Sequence, residues 1–344
     1  MINKLSFLKK LFALLFIFGI ASYAPTNFAY YAQTKHHHHN EHKDNDYSKH
    51  HHHDKTTDKT PSVSQAKLNK STPKDIFMKI VILSTGDIHE HPSHISAISN
   101  YIQNERGSKA TQKDVVAKHV IAIDAGDFLC SPNGKNCNDH LGGDGAVMAK
   151  NMSDIHYNIM TIGNHDFCYG VDQLSKLIQT YTLPIYAANL IHAPYAVPVK
   201  THRLFPYTYT DKDGKQYKLT VGVIGTMSPD PKDYHLGKDS GKKGELKIAA
   251  VNSNSVQQWI SQYFGKKPDI TILVSHQWDN EDKAIHGVNV IIGGHSHNKI
   301  SDFIGGKMLV KNGFHGDYVG RTTIYWDLKK NKMSGKIKSR LVSM

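Results

Sequence analysis

Five short stretches rich in histidine and aspartate dominate the chemistry this chain can do: Asp87-Ile88-His89, Gly126-Asp127, Gly163-Asn164-His165-Asp166, Ser275-His276 and Gly294-His295-Ser296-His297. Imidazole nitrogens mixed with carboxylate and amide oxygens are the donors that borderline divalent metals take, and one carboxylate can bridge two ions. Asp87 and His89 stand two apart, so on an extended strand end both side chains lean toward one ion, and the isolated Asp127 is free to bridge. Asn164, His276, His295 and His297 complete two shells. Two ions held roughly 3.5–4 Å apart lower the pKa of a trapped water and steady the oxygens of an in-line phosphoryl displacement, with no serine or cysteine nucleophile needed. His165 follows a ligand without being required as one, which frees it to stabilise developing charge or protonate the leaving oxygen. Asp166 beside it is the second catalytic candidate. Two divalent ions (Zn, Mn or Fe) and a small phosphorylated substrate are the expected partners.

An aliphatic run precedes each stretch: Ile80 to Leu83, Val120 to Ile123, Ile159 to Ile162, Ile270 to Val274 and Val288 to Ile292. These runs are too short for helices and read as parallel strands buried on both faces. In open α/β sheets, functional side chains gather beyond the carboxyl ends of the strands, so five strands can deliver residues far apart in sequence to one crevice. Helices are expected between them, with apolar stripes at Ile95, Ile98 and Ile102, at Val171, Leu174, Leu177 and Ile178, and at Val256, Trp259, Ile260 and Tyr263. Tyr207 to Thr210 and Gln216 to Ile224 flank Asp211-Lys212-Asp213-Gly214-Lys215, a hairpin signal, and Met308 to Val310 and Arg321 to Trp326 supply late strands. Periodicity alone gives an α/β class.

Taken in order, D-x-H, G-D, G-N-H-D, S-H and G-H-S-H resemble the calcineurin-like metallophosphoesterase superfamily. Three longer stretches, from Asn158 to Phe167, Leu183 to Leu190 and Gly313 to Arg321, are similar to the amino-terminal domain of the periplasmic 5'-nucleotidase and UDP-sugar hydrolase family. That resemblance covers about residues 79–328. It implies a four-layer αββα sandwich of two mixed sheets flanked by helices. It also implies Asp87, His89, Asp127 and His297 around one metal, Asp127, Asn164, His276 and His295 around the other, and His165 as the catalytic histidine. The activity it implies is hydrolysis of small phosphate esters, above all 5'-nucleotide-like monoesters. A phosphodiesterase or pyrophosphatase on the same site, or a metal-sequestering protein with little hydrolysis, are the alternatives.

Two departures from the family pattern stand out. In the nucleotidase branch an aspartate three residues after the catalytic histidine orients it, and in other branches the partner lies three residues after the bridging aspartate; here those positions are Cys168 and Cys130. A thiol is a poor substitute for a carboxylate in fixing an imidazole. If both cysteines lie beside His165, an oxidising compartment can join them. Cys130 to Cys137 is the local alternative, closing the turn-rich loop between, and it is somewhat the more favoured of the two on sequence proximity. The second departure is that two-domain nucleotidases carry a carboxyl-terminal domain that holds the nucleoside, whereas this chain stops at Met344.

Residues 1–24 read as a signal peptide, with Lys4, Lys9 and Lys10 ahead of an apolar segment from Leu11 to Ile20 that is too short to span a membrane. Export to the periplasm or the medium is therefore expected. Residues 25–77 are expected to be disordered, since they are too poor in large aliphatics to offset the entropy of ordering. They hold His36 to His39, His42 and His50 to His53, which suit collection of transition-metal ions. Residues 78–344 are the single catalytic domain. Of the formal charge of +12, about +7 belongs to the chain after residue 78. Interspersed lysine and aspartate make that a solvated face, and no nucleic-acid motif or membrane insertion is expected. His91, His94, His286 and His315 read as loop histidines, and Phe314 and Tyr318 as aromatics that pack or stack on a base.

Overall fold

From Ile80 to Leu83 every side chain is fully buried, so the strand they form must be covered on both faces. In the computed structural model, which describes residues 75–130 and 143–344, that is what happens. Ile80 and Ile82 face a core shared with Ile121, Ile123, Val223, Ile272, Val274 and Ile292. Val81 and Leu83, on the opposite face, pack with Ile98, Ile102, Met152 and Leu174. The two-residue period of the strand thus sorts one run of apolar residues into two cores.

The first sheet comprises β1 (Phe77–Thr85), β2 (Val115–Asp124), β3 (Ile159–Met160), β12 (Tyr318–Asp327), β13 (Lys332–Met333) and β14 (Lys338–Ser343). Its order is β13-β12-β1-β2-β3, with β14 also on β12. A two-stranded ribbon joins β4 (Leu190–His192) to β7 (Lys247–Ile248). The second sheet holds β5 (His202–Thr210), β6 (Gln216–Gly225), β8 (Ile270–Ser275), β9 (Val290–Gly293), β10 (Lys299–Ile304) and β11 (Lys307–Asn312). Its order is β10-β11-β9-β8-β6-β5, parallel from β11 through β6 and antiparallel at both edges. Helices α1 (Ile95–Gly107), α2 (Ala146–Ile155) and α3 (Val171–Thr180) cover the first sheet through Ile98, Met152 and Leu174. On the other side, α4 (Ser253–Phe264) covers the second sheet with Val256, Trp259 and Ile260 against Leu273, Ile291 and Leu309, and α5 (Asp279–Ala284) follows β8. Two mixed sheets between helical layers are the expected αββα sandwich.

The predicted strands and helices form, with two differences. β3 has only two residues paired with β2; just beyond it the Thr161 N–H still donates to the Asp124 carbonyl at 3.0 Å, and its hydroxyl reaches the carbonyls of Tyr186 and Thr226, both at 2.9 Å. α2 was not anticipated, although Met148, Met152 and Ile155 bury one face at helical spacing. Strand β1 starts at Phe77, with Ile76 already buried. The signal peptide, the histidine clusters at His36 to His39 and His50 to His53, and Cys137 lie outside the described residues. Among the described residues no helix is long and apolar enough to cross a membrane.

Glu105 at the end of α1 ties the helix layer to the sheet. Its carboxylate meets Arg321 of β12 at 2.7 Å and Lys118 of β2 at 2.8 Å. Partial burial pushes the carboxyl up, but these two cations outweigh it and hold the pKa at about 2. A depressed carboxylate pKa stabilises the fold above the unfolded value near 4.5, and that stabilisation fades as pH falls toward 2. Glu105→Gln should therefore lower stability by about 1 kcal/mol at neutral pH, given solvent screening. Melting curves from pH 7 down to pH 3 should show the gap between the variant and the parent narrowing.

Candidate metal centre

Each ligand stretch begins where a strand ends: Asp87 after β1, Asp127 after β2, Asn164 after β3, His276 after β8 and His295 after β9. Backbones turn sharply there. Asp87, His89, Asp127, His295 and His297 all sit in the left-handed region, at φ 53°, 52°, 57°, 76° and 57°. Non-glycine residues held that way cost on the order of 1–3 kcal/mol each, and such strain concentrates at functional sites. Close approach adds a further constraint. A Cβ on Gly163 would lie 2.0 Å from Asp127 Oδ1, so only glycine lets the β3 loop pass the Asp127 carboxylate.

The resulting cluster is buried and converges. His89 donates Nδ1–H to the Cys130 carbonyl at 2.6 Å, and His276 donates Nδ1–H to the Ala125 carbonyl at 2.7 Å. A carbonyl can face only an N–H, so both rings turn Nε2 into the site, the orientation of metal-ligating histidines. His276 Nε2 meets Asp127 Oδ2 at 3.1 Å and Asn164 Oδ1 at 3.2 Å, while His89 Nε2 meets His297 Nε2 at 3.0 Å and Asp127 Oδ2 at 3.9 Å. Asp87 Oδ1 lies 3.9 Å from both His276 Nε2 and His297 Nε2. His295 Nδ1 lies 2.9 Å from Asn164 Oδ1, and its backbone N–H donates to Asp87 at 2.9 Å. Ligand atoms of Asp87, His89 and His297 fall within 4.8 Å of one another, as do those of Asp87, Asp127 and His276. All seven expected metal-binding side chains are thus brought together.

Electrostatics make the same point. Desolvation works against charge on both Asp127 and His276, yet their mutual attraction wins, holding Asp127 well below the usual carboxylate range and His276 above the usual imidazole range. Burial raises Asp87 to about 7 and lowers His89 and His295 to about 3. Lone pairs and carboxylate oxygens this close need a proton or a cation between them. The mixed nitrogen and oxygen donors fit divalent ions, and the buried Nε2 of His295 has no hydrogen-bond partner among the described residues.

His165 stands at the edge of this cluster. Its backbone N–H donates to Asp127 Oδ1 at 2.7 Å, and its ring meets His89 edge-on at 5.0 Å and stacks on His235 at 4.4 Å. Burial lowers its pKa and favours the neutral ring. Asp166 turns elsewhere. Its oxygens accept from the backbone N–H groups of Asp127 at 3.0 Å, Gly163 at 2.7 Å and Leu129 at 3.0 Å. A fully buried carboxyl with three backbone donors braces the Asp127 loop against the Asn164 loop.

The cysteines correct one expectation. Cys130 is joined to Cys168, with Cα atoms 6.5 Å apart, not to the neighbouring Cys137. The β2 and β3 loops converge on the ligands, which brings residues 38 apart in sequence within disulfide range. The link therefore fastens together the two loops that carry Asp127 and His165.

Several site residues escaped the sequence reading. Lys311 on β11 is only 1% exposed and donates to the carbonyls of Gln277 at 2.6 Å and Gly294 at 2.9 Å. It also pairs with Asp279 at 3.0 Å and Asp282 at 3.1 Å, and Asp279 in turn takes Ser296 Oγ and Asn298 Nδ2 at 2.6 Å each. One ammonium thus clamps the loops bearing His276, His295 and His297. The available signal was a lone charge ending the apolar run Met308-Leu309-Val310. Asp233 lies 3.7 Å from His295 Nε2, and its carbonyl accepts from Asn164 Nδ2 at 3.2 Å. Trp278, 51% exposed, meets His295 edge-on at 4.3 Å, and Phe314 stacks on His297 at 5.1 Å. His91 stacks on His315 at 4.3 Å beside them, whereas Tyr318 pairs with Lys299.

Removing one partner of a buried ion network leaves the other charges uncompensated, at a cost of about 3–5 kcal/mol. Lys311→Met should lose that much in denaturant unfolding and should need more added Mn to reach half of its maximal thermal stabilisation. A variant matching the parent in both measurements would remove Lys311 from the clamp.

Comparison with known proteins agrees with this geometry. The family profile described as calcineurin-like phosphoesterase matches residues 80–299. The 2',3'-cyclic-nucleotide 2'-phosphodiesterase/3'-nucleotidase of Salmonella typhimurium is 24% identical over 296 residues, covering 74% of this chain and 44% of that protein. The 5'-nucleotidase of Diplobatis ommata is 26% identical over 231 residues, covering 64% of this chain and 37% of that protein. This chain therefore spans less than half the length of these relatives. Among solved structures, the calcineurin-like phosphoesterase YfkN from Bacillus subtilis superposes with a TM-score of 0.58 at 19% identity, covering 78% of this chain and 91% of that one. With that profile spanning most of the fold and every one of the five ligand loops, the chain belongs to the calcineurin-like phosphoesterase family.

Proposed function

We propose that this protein is a hydrolase of small phosphate esters that works with two divalent ions, acting on nucleotide-like monoesters. The observation that carries the reading is the convergence of Nε2 of His89 and of His276 with the Asp127 and Asp87 carboxylates, beside a buried His165 whose ring burial favours as neutral. Asp87, His89, Asp127 and His297 would hold one ion and Asp127, Asn164, His276 and His295 the other. Ions bound there supply Lewis acidity to phosphoryl oxygens and lower the pKa of a nearby water.

The chain's own residues do the rest. Asp127 fixes the His165 backbone through its Oδ1, so ring and ligand set keep one spacing. His165 then stabilises charge on the phosphoryl group or passes a proton to the leaving oxygen. Asp166 and the Cys130–Cys168 bond hold the loop that bears it. Structural disulfides belong to oxidising compartments, which supports export of the protein from the cytosol. Diester hydrolysis is the second reading, since the Salmonella relative bears a name covering both a phosphodiesterase and a nucleotidase.

The test is phosphate release by the full chain with Mn or Zn added, on AMP, a chromogenic monoester and a chromogenic diester. Monoester turnover is expected to lead, and His165→Ala should lower kcat by about 10²–10⁴-fold. Full turnover in His165→Ala would sink its assignment as the acid. No release from any substrate by ion-loaded protein would favour metal binding without hydrolysis.

A further inference from the structure

Both places where the family pattern puts a carboxylate partner for His165 are cysteines, and those cysteines are joined to each other. The contacts of the His165 ring are with two other imidazoles. His235 stacks on it, with centroids 4.4 Å apart and planes 25° from parallel, and His89 meets it edge-on at 5.0 Å. His165 and His235 together line a cavity of about 320 Å³ beside Cys168 and Tyr234.

The backbone that carries His235 is fastened on both sides of His165. His235 lies between two 3₁₀ turns, Pro231–Asp233 and Gly237–Glu245. Two hydrogen bonds clasp Asn164 around Tyr234: Asn164 Nδ2 donates to the Asp233 carbonyl at 3.2 Å, and the His235 N–H donates to the Asn164 carbonyl at 3.1 Å. The Tyr234 ring between them is buried, meets Phe167 edge-on at 5.4 Å and sends its hydroxyl to the Ser228 carbonyl at 2.8 Å. Further on, the Val171 N–H donates to Asp239 Oδ2 at 2.9 Å, and a Cβ on Gly237, at φ +50°, would lie 2.0 Å from the Cys168 carbonyl oxygen. His235 therefore keeps its register with the loop that bears His165, although its own side chain is exposed.

The torsion that turns an imidazole about its Cβ–Cγ bond is broad, so rotamer preference alone does not hold the ring in one plane. A flat ring against its face and an imidazole edge beside it do. We propose that His235 is a positioning residue: its stacked ring holds the His165 imidazole in the orientation its catalytic role requires. The proposal rests on the phosphoesterase reading above. Stacking of this kind needs a flat ring and no particular nitrogen, which sets it apart from a hydrogen bond to the substrate.

Steady-state kinetics of the full chain on a chromogenic monoester with added Mn test this. His235→Ala should lower kcat about tenfold, the upper end of what one aromatic stack is worth, with KM within about twofold of the parent. His235→Phe, which keeps a flat ring and loses both nitrogens, should return kcat to within about twofold of the parent. An Ala variant as fast as the parent, an effect chiefly on KM, or a Phe variant as slow as the Ala one would overturn the proposal. A second readout does not depend on turnover. In proton–carbon spectra of the full chain with labelled histidine and added Zn, the His165 ring signal is identified by its loss in His165→Ala. His235→Ala should move that signal, because the ring current on its face is lost; a signal that stays in place would overturn the stack. A parent chain that releases no phosphate while the signal moves would overturn the phosphoesterase reading, and the catalytic role of the stack with it, while leaving the stack itself in place.

Discussion

The site is organised around the Asp127 carboxylate. One oxygen faces His276 at 3.1 Å and His89 at 3.9 Å, and the other accepts the His165 backbone N–H at 2.7 Å. Three strands in two different sheets supply those partners, so the position of one carboxylate sets how the sheets' loops must meet. Gly163 has no side chain because Asp127 occupies the space one would need. Asp127 itself adopts φ +57°, a strained conformation that the surrounding backbone contacts and the Asp166 brace impose. Burying such a group is unfavourable unless cations compensate it, which is why imidazoles crowd round it.

That constraint explains the distribution of supporting groups. The histidines that face Asp127 spend Nδ1 on carbonyls of the loops, and the loops are tied by a disulfide on one side and by Lys311 on the other. Reduction of the Cys130–Cys168 link would leave the Asp166 hydrogen bonds and the bond from the His165 N–H to Asp127 Oδ1 as direct ties between the Asp127 and His165 loops. The covalent tie joins the backbones of the two loops that bear Asp127 and His165.

Much of this was legible in the sequence because strand runs and ligand motifs are local signals. Five aliphatic runs end in candidate metal-binding residues, and the carboxyl-end rule brings them to one crevice. The rest depends on contacts that no local pattern encodes. The stretch from Asp230 to Glu245, rich in Lys, Asp and Gly, has no periodicity, yet it walls the His165 cavity through hydrogen bonds to Asn164 and Val171. Lys311 reads as an exposed charge at a strand end until β8 and β9 are placed beside it. Of the two partners open to Cys130, proximity in sequence favours Cys137, and proximity in space selects Cys168. Asp166 stands next to His165 in sequence, and only the direction of its carboxyl shows it serving three backbone amides.

The claim on which the others rest is that one carboxylate joins two ion sites. Calorimetric titration of the metal-stripped full chain with Mn, comparing the parent with Asp127→Asn, measures it directly. The account predicts two equivalents bound per parent chain, with both sites weakened in the variant. A single equivalent in the parent, or a variant that still binds two with unchanged affinity, would contradict it.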